Sequence, residues 1–177
     1  DTVLSRGLGD VYKRQLRDYI AVGATDAVNG GAGADYILGG SGVNALTGGD
    51  GDDVIIGAGG ADAIDGGAGD DTFTITDADD DAASESYTGG DGTADKIDIN
   101  TTEAIDLSND TIATVEVLDL DASGTNATVT VSATQLAAFT TVTAAAADTI
   151  VINGLTGQTV AATDGIDKFD FASSDAA

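Results

Sequence analysis

From Val28 onward one large apolar side chain recurs at every ninth position: Val28, Ile37, Leu46, Ile55, Ile64 and Phe73. Two positions before each stands a short polar group, Asp26, Asp35, Asn44, Asp53, Asp62 and Asp71. The chain divides without a gap into GGAGADYIL (30–38), GGSGVNALT (39–47), GGDGDDVII (48–56), GAGGADAID (57–65) and GGAGDDTFT (66–74). Upstream, AVGATDAVN (21–29) keeps the same phase in degenerate form. Side chains alternate across a strand, so the last three residues of each unit read as a short strand with its central side chain turned inward. The six preceding residues read as a turn, because glycine tolerates the positive φ that tight turns demand. Nine residues therefore make half a coil, and eighteen complete one. The predicted fold is all-β: a right-handed parallel β-roll or β-solenoid in which each unit lies beside the next but one.

After Ile99 the glycine phase fades while strand-like runs continue at VEVLDL (115–120), ATVTVS (127–132), TTVT (140–143), TIVI (149–152) and KFDF (168–171). Their spacing suits further coils, with a small sandwich as the alternative for this half. SATQLAAF (132–139) predicts one turn of helix, with Ser132 as N-cap and Gln135 closing a capping box. Asn153-Gly154 predicts a turn. The expected organisation is a fragment end over 1–20, a β-roll over 21–99 interrupted by an acidic insertion at 75–88, and a β-solenoid spacer over 100–177. Within the insertion, DADDDAASESYT (77–88) opens like an EF-hand loop. It has Ala82 where such loops need glycine and Thr88 where they need glutamate, so a solvated acidic linker is the expectation.

Composition narrows the function. The net charge is −25, from 31 acidic and 6 basic residues, and four of the six bases (Arg6, Lys13, Arg14 and Arg17) lie at the start. Such a surface repels nucleic acid and anionic membranes. No stretch is long enough to predict a membrane span, so no membrane insertion is expected. Cysteine and histidine are both absent, which removes disulfides, thiolate metal sites and imidazole chemistry. With 42% hydrophobic residues the chain is nevertheless no simple polyanion. Methionine is absent as well, and the chain is expected to be a piece of something longer. DVYKRQ (10–15) departs from its surroundings and resembles the translation of a transposase mosaic end used as a sequencing adaptor, so it is expected to stand outside the fold.

The repeat carries the candidate chemistry. Neighbouring coils of a parallel sheet lie about 4.8 Å apart, so stacking brings Asp35 towards the 48–53 turn and Asp53 towards the 66–71 turn. On the opposite edge Asp26, Asn44 and Asp62 follow one another. Two carboxylates at that distance repel by about 3 kcal/mol at an effective dielectric near 20. A hard cation between coils removes the repulsion and takes turn carbonyls as further ligands. The candidate metal site therefore comprises Asp26, Asp35, Asn44, Asp53, Asp62 and Asp71 with the turn glycines Gly31, Gly33, Gly40, Gly42, Gly49, Gly51, Gly67 and Gly69. Calcium suits this all-oxygen, irregular set better than magnesium. One large apolar residue per nine is too little to offset the ordering of the backbone, so metal binding must contribute to folding.

At this point the sequence resembles the RTX (repeats-in-toxin) family, whose calcium-binding nonapeptide reads GGxGxDxUx. The resemblance covers 21–74, and GGDGTADKI (89–97) matches it with one inserted residue that moves Asp95 to the seventh position. Asn44 in place of Asp, Ala58 in place of the second glycine, and the missing glycines of 21–29 depart from the pattern. Aspartate and glycine also favour turns in their own right, but turn preference does not hold aspartate at a nine-residue phase. The resemblance implies calcium binding, a bacterial protein secreted through type I secretion machinery, and residence outside the cell or at its surface with a possible cell-surface or matrix partner. It implies a non-catalytic structural module of an adhesin-like protein; the alternative is the calcium-binding C-terminal tail of an exoenzyme such as a lipase, protease or polysaccharide epimerase. Nothing in the chain resembles a phosphate-binding loop, and the Thr-x-Thr pairs at 128–130 and 141–143 read as ordinary strand residues rather than an ice-binding face.

Overall fold

A computed structural model describes residues 2–3, 18–23, 25–81, 84–120, 127–144, 148–153 and 168–172. The expectations for residues 10–15 and for the turn at Asn153-Gly154 lie outside them. Along the repeat half run β1 (Thr2–Val3), β2 (Tyr19–Ala21), β3 (Ala27–Ala32), β4 (Tyr36–Leu38), β5 (Ala45–Asp50) and β6 (Val54–Ile56). They continue with β7 (Ala63–Ala68), β8 (Thr72–Ile75), β9 (Ser86–Asp91) and β10 (Lys96–Ile99). The second half adds β11 (Ala104–Asp106), β12 (Thr111–Ala113), β13 (Val117–Asp119), β14 (Thr128–Ser132), the short helix α1 (Ala133–Ala138), β15 (Thr141–Thr143), β16 (Thr149–Asn153) and β17 (Lys168–Ala172).

The nine-residue phase becomes a solenoid of parallel strands. Alternate strands enter two sheets, one ordered β1-β2-β4-β6-β8-β10-β13-β15 and the other β12-β9-β7-β5-β3. The register is one coil per eighteen residues, as the sequence predicts: Ile37 lies beside Ile55 and Ile55 beside Phe73, while Leu46 lies beside Ile64. These side chains are buried in one continuous core column on each side.

The turns are less even than the sequence suggests. Strands of the first sheet are three or four residues long, but β3, β5, β7 and β9 run for six and absorb the glycine pair into the ladder. Gly31, Gly49 and Gly67 stack one above another at positive φ. A Cβ on Gly49 or Gly67 would run into the carbonyl of the glycine one coil earlier, so only glycine lets these backbones approach.

Past β10 the cross-section acquires a third side. The chain makes β11, a 3-10 turn at Leu107–Asn109 and then β12 before it returns to the first sheet as β13. Strand β12 ends the second sheet, and β11 opens a third, ordered β11-β14-β16-β17. All described pairings are parallel, so the second half is solenoid and not a sandwich. Helix α1 carries the expected cap: Gln135 N–H donates to Ser132 Oγ at 3.2 Å, and Ser132 N–H to Gln135 Oε1 at 2.7 Å. Gln135 Nε2 also donates to the carbonyls of Leu107 and Asp110, at 2.6 and 3.0 Å, which seats the helix on the coil before it. The first sheet crosses residue 99 without a break. Among the described residues no helix is long and apolar enough to cross a membrane.

Candidate metal centre

Stacking at an eighteen-residue register lines the aspartates into a ladder along one edge. Asp35 Oδ1 accepts the N–H of Asp18 at 2.7 Å, Asp53 Oδ1 that of Asp35 at 2.6 Å, and Asp71 Oδ1 that of Asp53 at 2.8 Å. Asp95 Oδ1 accepts from Asp71 at 2.7 Å, and Glu116 Oε2 from Asp95 at 3.1 Å. Each carboxylate thus reaches back one coil with one oxygen. The second oxygen of Asp35, Asp53, Asp71 and Asp95 is buried and accepts no hydrogen bond. It faces the first glycine of its own turn: a Cβ on Gly30 would sit 2.5 Å from Asp35 Oδ2, and one on Gly48 or Gly66 would strike Asp53 or Asp71 in the same way.

A buried carboxylate oxygen without a donor is costly while ionised. Burial, reinforced by neighbouring carboxylates, pushes Asp71 up to about 7 and Asp53 up to about 6. Burial raises Asp35 and Asp95 as well, against the lowering effect of the N–H bonds they accept. Among the side chains described, the single lysine, Lys96, pairs with Asp119 at 3.3 Å and not with this row. Unpartnered buried oxygens, one per coil, with an all-oxygen donor set in a glycine cradle fit a hard divalent cation.

The opposite edge divides the remaining candidates. Asp62 Oδ1 accepts the N–H of Asn44 at 2.7 Å, its Oδ2 is buried without a partner, and burial raises its pKa. Asn44 is satisfied differently. Its Oδ1 accepts from Asp26 N–H at 3.0 Å, while Nδ2 donates to the carbonyls of Gly40, at 3.2 Å, and Gly42. An amide nitrogen therefore takes the turn carbonyls that a cation would otherwise take. Asp26 is half-buried, and its Oδ2 accepts from Gly23 N–H at 2.7 Å. Of the six polar candidates, Asp35, Asp53, Asp62 and Asp71 offer a free buried oxygen, whereas Asn44 and Asp26 close their turns by themselves. The glycine candidates line the same turns.

Four residues beyond the candidate set join such clusters, of which the sequence flags Asp95 in the degenerate repeat 89–97 and Asp81 in the acidic run 77–88. Asp95 takes its place in the first ladder because the extra residue of 89–97 is absorbed in the turn, where Thr93 and Ala94 donate to Asp70 Oδ1. The insertion proper is 76–85, since Ile75 ends β8 and residues 86–88 lie in β9. It is only partly a solvated linker. Asp77 and Asp79 are exposed, but Asp80 is buried and accepts from the N–H and hydroxyl of Thr76. Asp81, Glu85 and Asp110 come together, with carboxylate oxygens within 4.8 Å of one another. Burial drives Glu85 up to about 9, and burial with the Asp81 carboxylate beside it raises Asp110. Of Glu85 and Asp110, only Glu85 carried a legible signal: Glu85-x-Tyr87-x-Gly89-Gly90 repeats Asp62-x-Ile64-x-Gly66-Gly67 without the preceding glycines.

A family model described as the RTX calcium-binding nonapeptide repeat matches residues 21–49 and 38–73, with four copies. The repeat block carries that nonapeptide, and calcium is the ion it binds. No curated protein and no solved structure matches the chain.

Proposed function

We propose that this chain is a non-catalytic structural module of a secreted or cell-surface, adhesin-like RTX protein, which folds on calcium after export by type I secretion machinery. In this reading Asp35, Asp53 and Asp71 on one edge and Asp62 on the other hold the ions, with the carbonyls of their glycine turns as further donors. Asp95 extends the first row. The observation that carries it is the row of buried carboxylate oxygens, one in each coil, that no group among the described residues satisfies. Sites of this kind suit the weak extracellular range, with dissociation constants of about 10⁻⁴–10⁻³ M. They would stay empty in the cytosol and fill outside, so the chain travels unfolded and gains its coils where calcium is abundant. Far-ultraviolet circular dichroism of the purified chain tests this: EDTA should leave little β signal and millimolar calcium should restore it cooperatively. A spectrum that calcium leaves unchanged would end the proposal.

A further inference from the structure

We propose that Asp81, Glu85 and Asp110 form a second kind of calcium site, outside the glycine repeats, at the junction where the two-sided coil becomes three-sided. Glu85 leads into β9 and Asp110 into β12, two adjacent strands of the second sheet, while Asp81 comes from the insertion. Each carboxylate is held by one oxygen and presents the other. Asp81 Oδ2 accepts the N–H of Asp106 at 2.9 Å, Asp110 Oδ1 accepts the N–H of Glu85 at 3.0 Å, and Glu85 Oε2 accepts the hydroxyl of Tyr87. The three remaining oxygens, Asp81 Oδ1, Glu85 Oε1 and Asp110 Oδ2, are buried and without a hydrogen-bond partner. Glu85 itself is 1% exposed.

Three carboxylates fixed from behind and converging in front make a preformed site, not a solvated acidic patch. No basic side chain among those described approaches them, since Lys96 is engaged by Asp119. Without a cation the cluster relieves its charge by keeping protons, with Asp81 and Asp110 paired side chain to side chain, and a divalent cation would displace them. One carboxylate oxygen from each residue lies within 4.8 Å of the others, which is the span of a coordination sphere whose ligands stand at about 2.3–2.6 Å, the calcium range. Magnesium, with ligands at about 2.0–2.1 Å and a strict octahedron, suits it less. An ion here would clamp β9, β12 and the insertion together, so the end of the repeat sheet and the first spacer coil would order in one event.

Tyr87 supplies the readout, because its hydroxyl rests on a site carboxylate and tyrosine sensitises terbium, a luminescent stand-in for calcium. In the full chain carrying Tyr12→Phe, Tyr19→Phe and Tyr36→Phe, Tyr87 is the remaining tyrosine. Excitation of Tyr87 should then give terbium emission that calcium competes away. Glu85→Gln and Asp110→Asn each keep the holding contact and lose the charge; each should abolish that emission and lower the calorimetric stoichiometry by one ion. Absence of Tyr87-sensitised emission from the parent, or its survival in either variant, overturns the proposal. Circular dichroism in calcium checks that each variant folds, and if neither does, the parent's emission and its competition by calcium decide. A parent that gains β signal with calcium but shows no emission keeps the repeat reading and loses this one. Emission without that gain does the reverse.

Discussion

Replacing Asp71 by asparagine should change the sign of its effect with calcium. Asp71 is fully buried, gives Oδ1 to the N–H of Asp53 at 2.8 Å, and leaves Oδ2 unpartnered. Burial, with the charges of Asp53 and Asp95 beside it, moves its pKa from 3.8 to about 7. Each unit of pKa is worth about 1.4 kcal/mol, so at pH 8 the ionised carboxylate costs the metal-free fold up to about 4 kcal/mol. Asparagine removes that cost and keeps the Oδ1 acceptor. Asn44 shows, inside the same chain, that an amide also finds donors' work for its nitrogen at two turn carbonyls. Without calcium, Asp71→Asn should therefore be more stable than the parent. With calcium the order reverses, because one site is lost, and a site at a hundredfold its dissociation constant contributes about 2.7 kcal/mol.

The metal-free end can be read at pH 8 in EDTA by titration with trimethylamine N-oxide, which favours the compact state, and the loaded end by urea unfolding in millimolar calcium. Asp71→Ala serves as control: it loses the Oδ1 acceptor too and should be weaker than Asp71→Asn in both conditions. If Asp71→Asn is the less stable chain in EDTA, or gains as much from calcium as the parent does, the free oxygen of Asp71 is not an ion ligand held at an electrostatic cost.

Acid should partly replace calcium. In the fold Asp53 and Asp71 keep their protons up to about pH 6 and 7, but unfolded they release them near 3.8, so the folded chain binds more protons between these limits and gains stability as pH falls from about 7 towards 4; in EDTA the β signal should rise from pH 8 to pH 5, and a flat response would contradict the raised pKa values. Gly30→Ala places a Cβ 2.5 Å from Asp35 Oδ2 and 2.6 Å from Gly48 O, so it should remove one ion from the calorimetric count and weaken the fold by about 1–3 kcal/mol; an unchanged isotherm would show that the turn can give way. Asn44→Asp surrenders the amide bonds to Gly40 and Gly42, so it should destabilise the metal-free state by about 1–3 kcal/mol and add one calcium ion per chain, with an unaltered stoichiometry counting against it.

The period of nine was enough to predict register, sheet partners and the inward column, because one apolar residue per half coil leaves a single way to bury it. The ladder of aspartates followed from that register. What the sequence hid was local. The glycine pair looks like turn material, yet in β5 and β7 it is strand, since glycines without Cβ atoms can stack directly. Asn44 looked like a weakened ligand, but spacing alone does not show that its amide nitrogen reaches the turn carbonyls of Gly40 and Gly42. Asp81, Glu85 and Asp110 could not be joined from spacing, because the insertion and the change to a three-sided coil both break the eighteen-residue count. Only the capping box at Ser132 was a purely local signal, and it appears as read.

The two halves solve one problem by different means on a shared sheet. A repeat coil buries two or three large side chains, such as Ile55 and Ile56 with Ile64, and leaves buried carboxylate oxygens that no described group satisfies. From the end of β8 onward a second inward position fills: Ile75 and Ile99, then Leu107, Leu120, Val131 and Ile152, all buried. The third side makes room for them, because a wider cross-section encloses more volume per coil. As apolar burial per coil grows, more of the cost of chain ordering is offset by the core, and the glycine turns disappear from the sequence. The exchange is not abrupt: Asp95 still extends the acidic ladder in the coil whose core already holds both Ile97 and Ile99. Buried acidic ladder and widened apolar core overlap there, in the coil just before the third sheet begins.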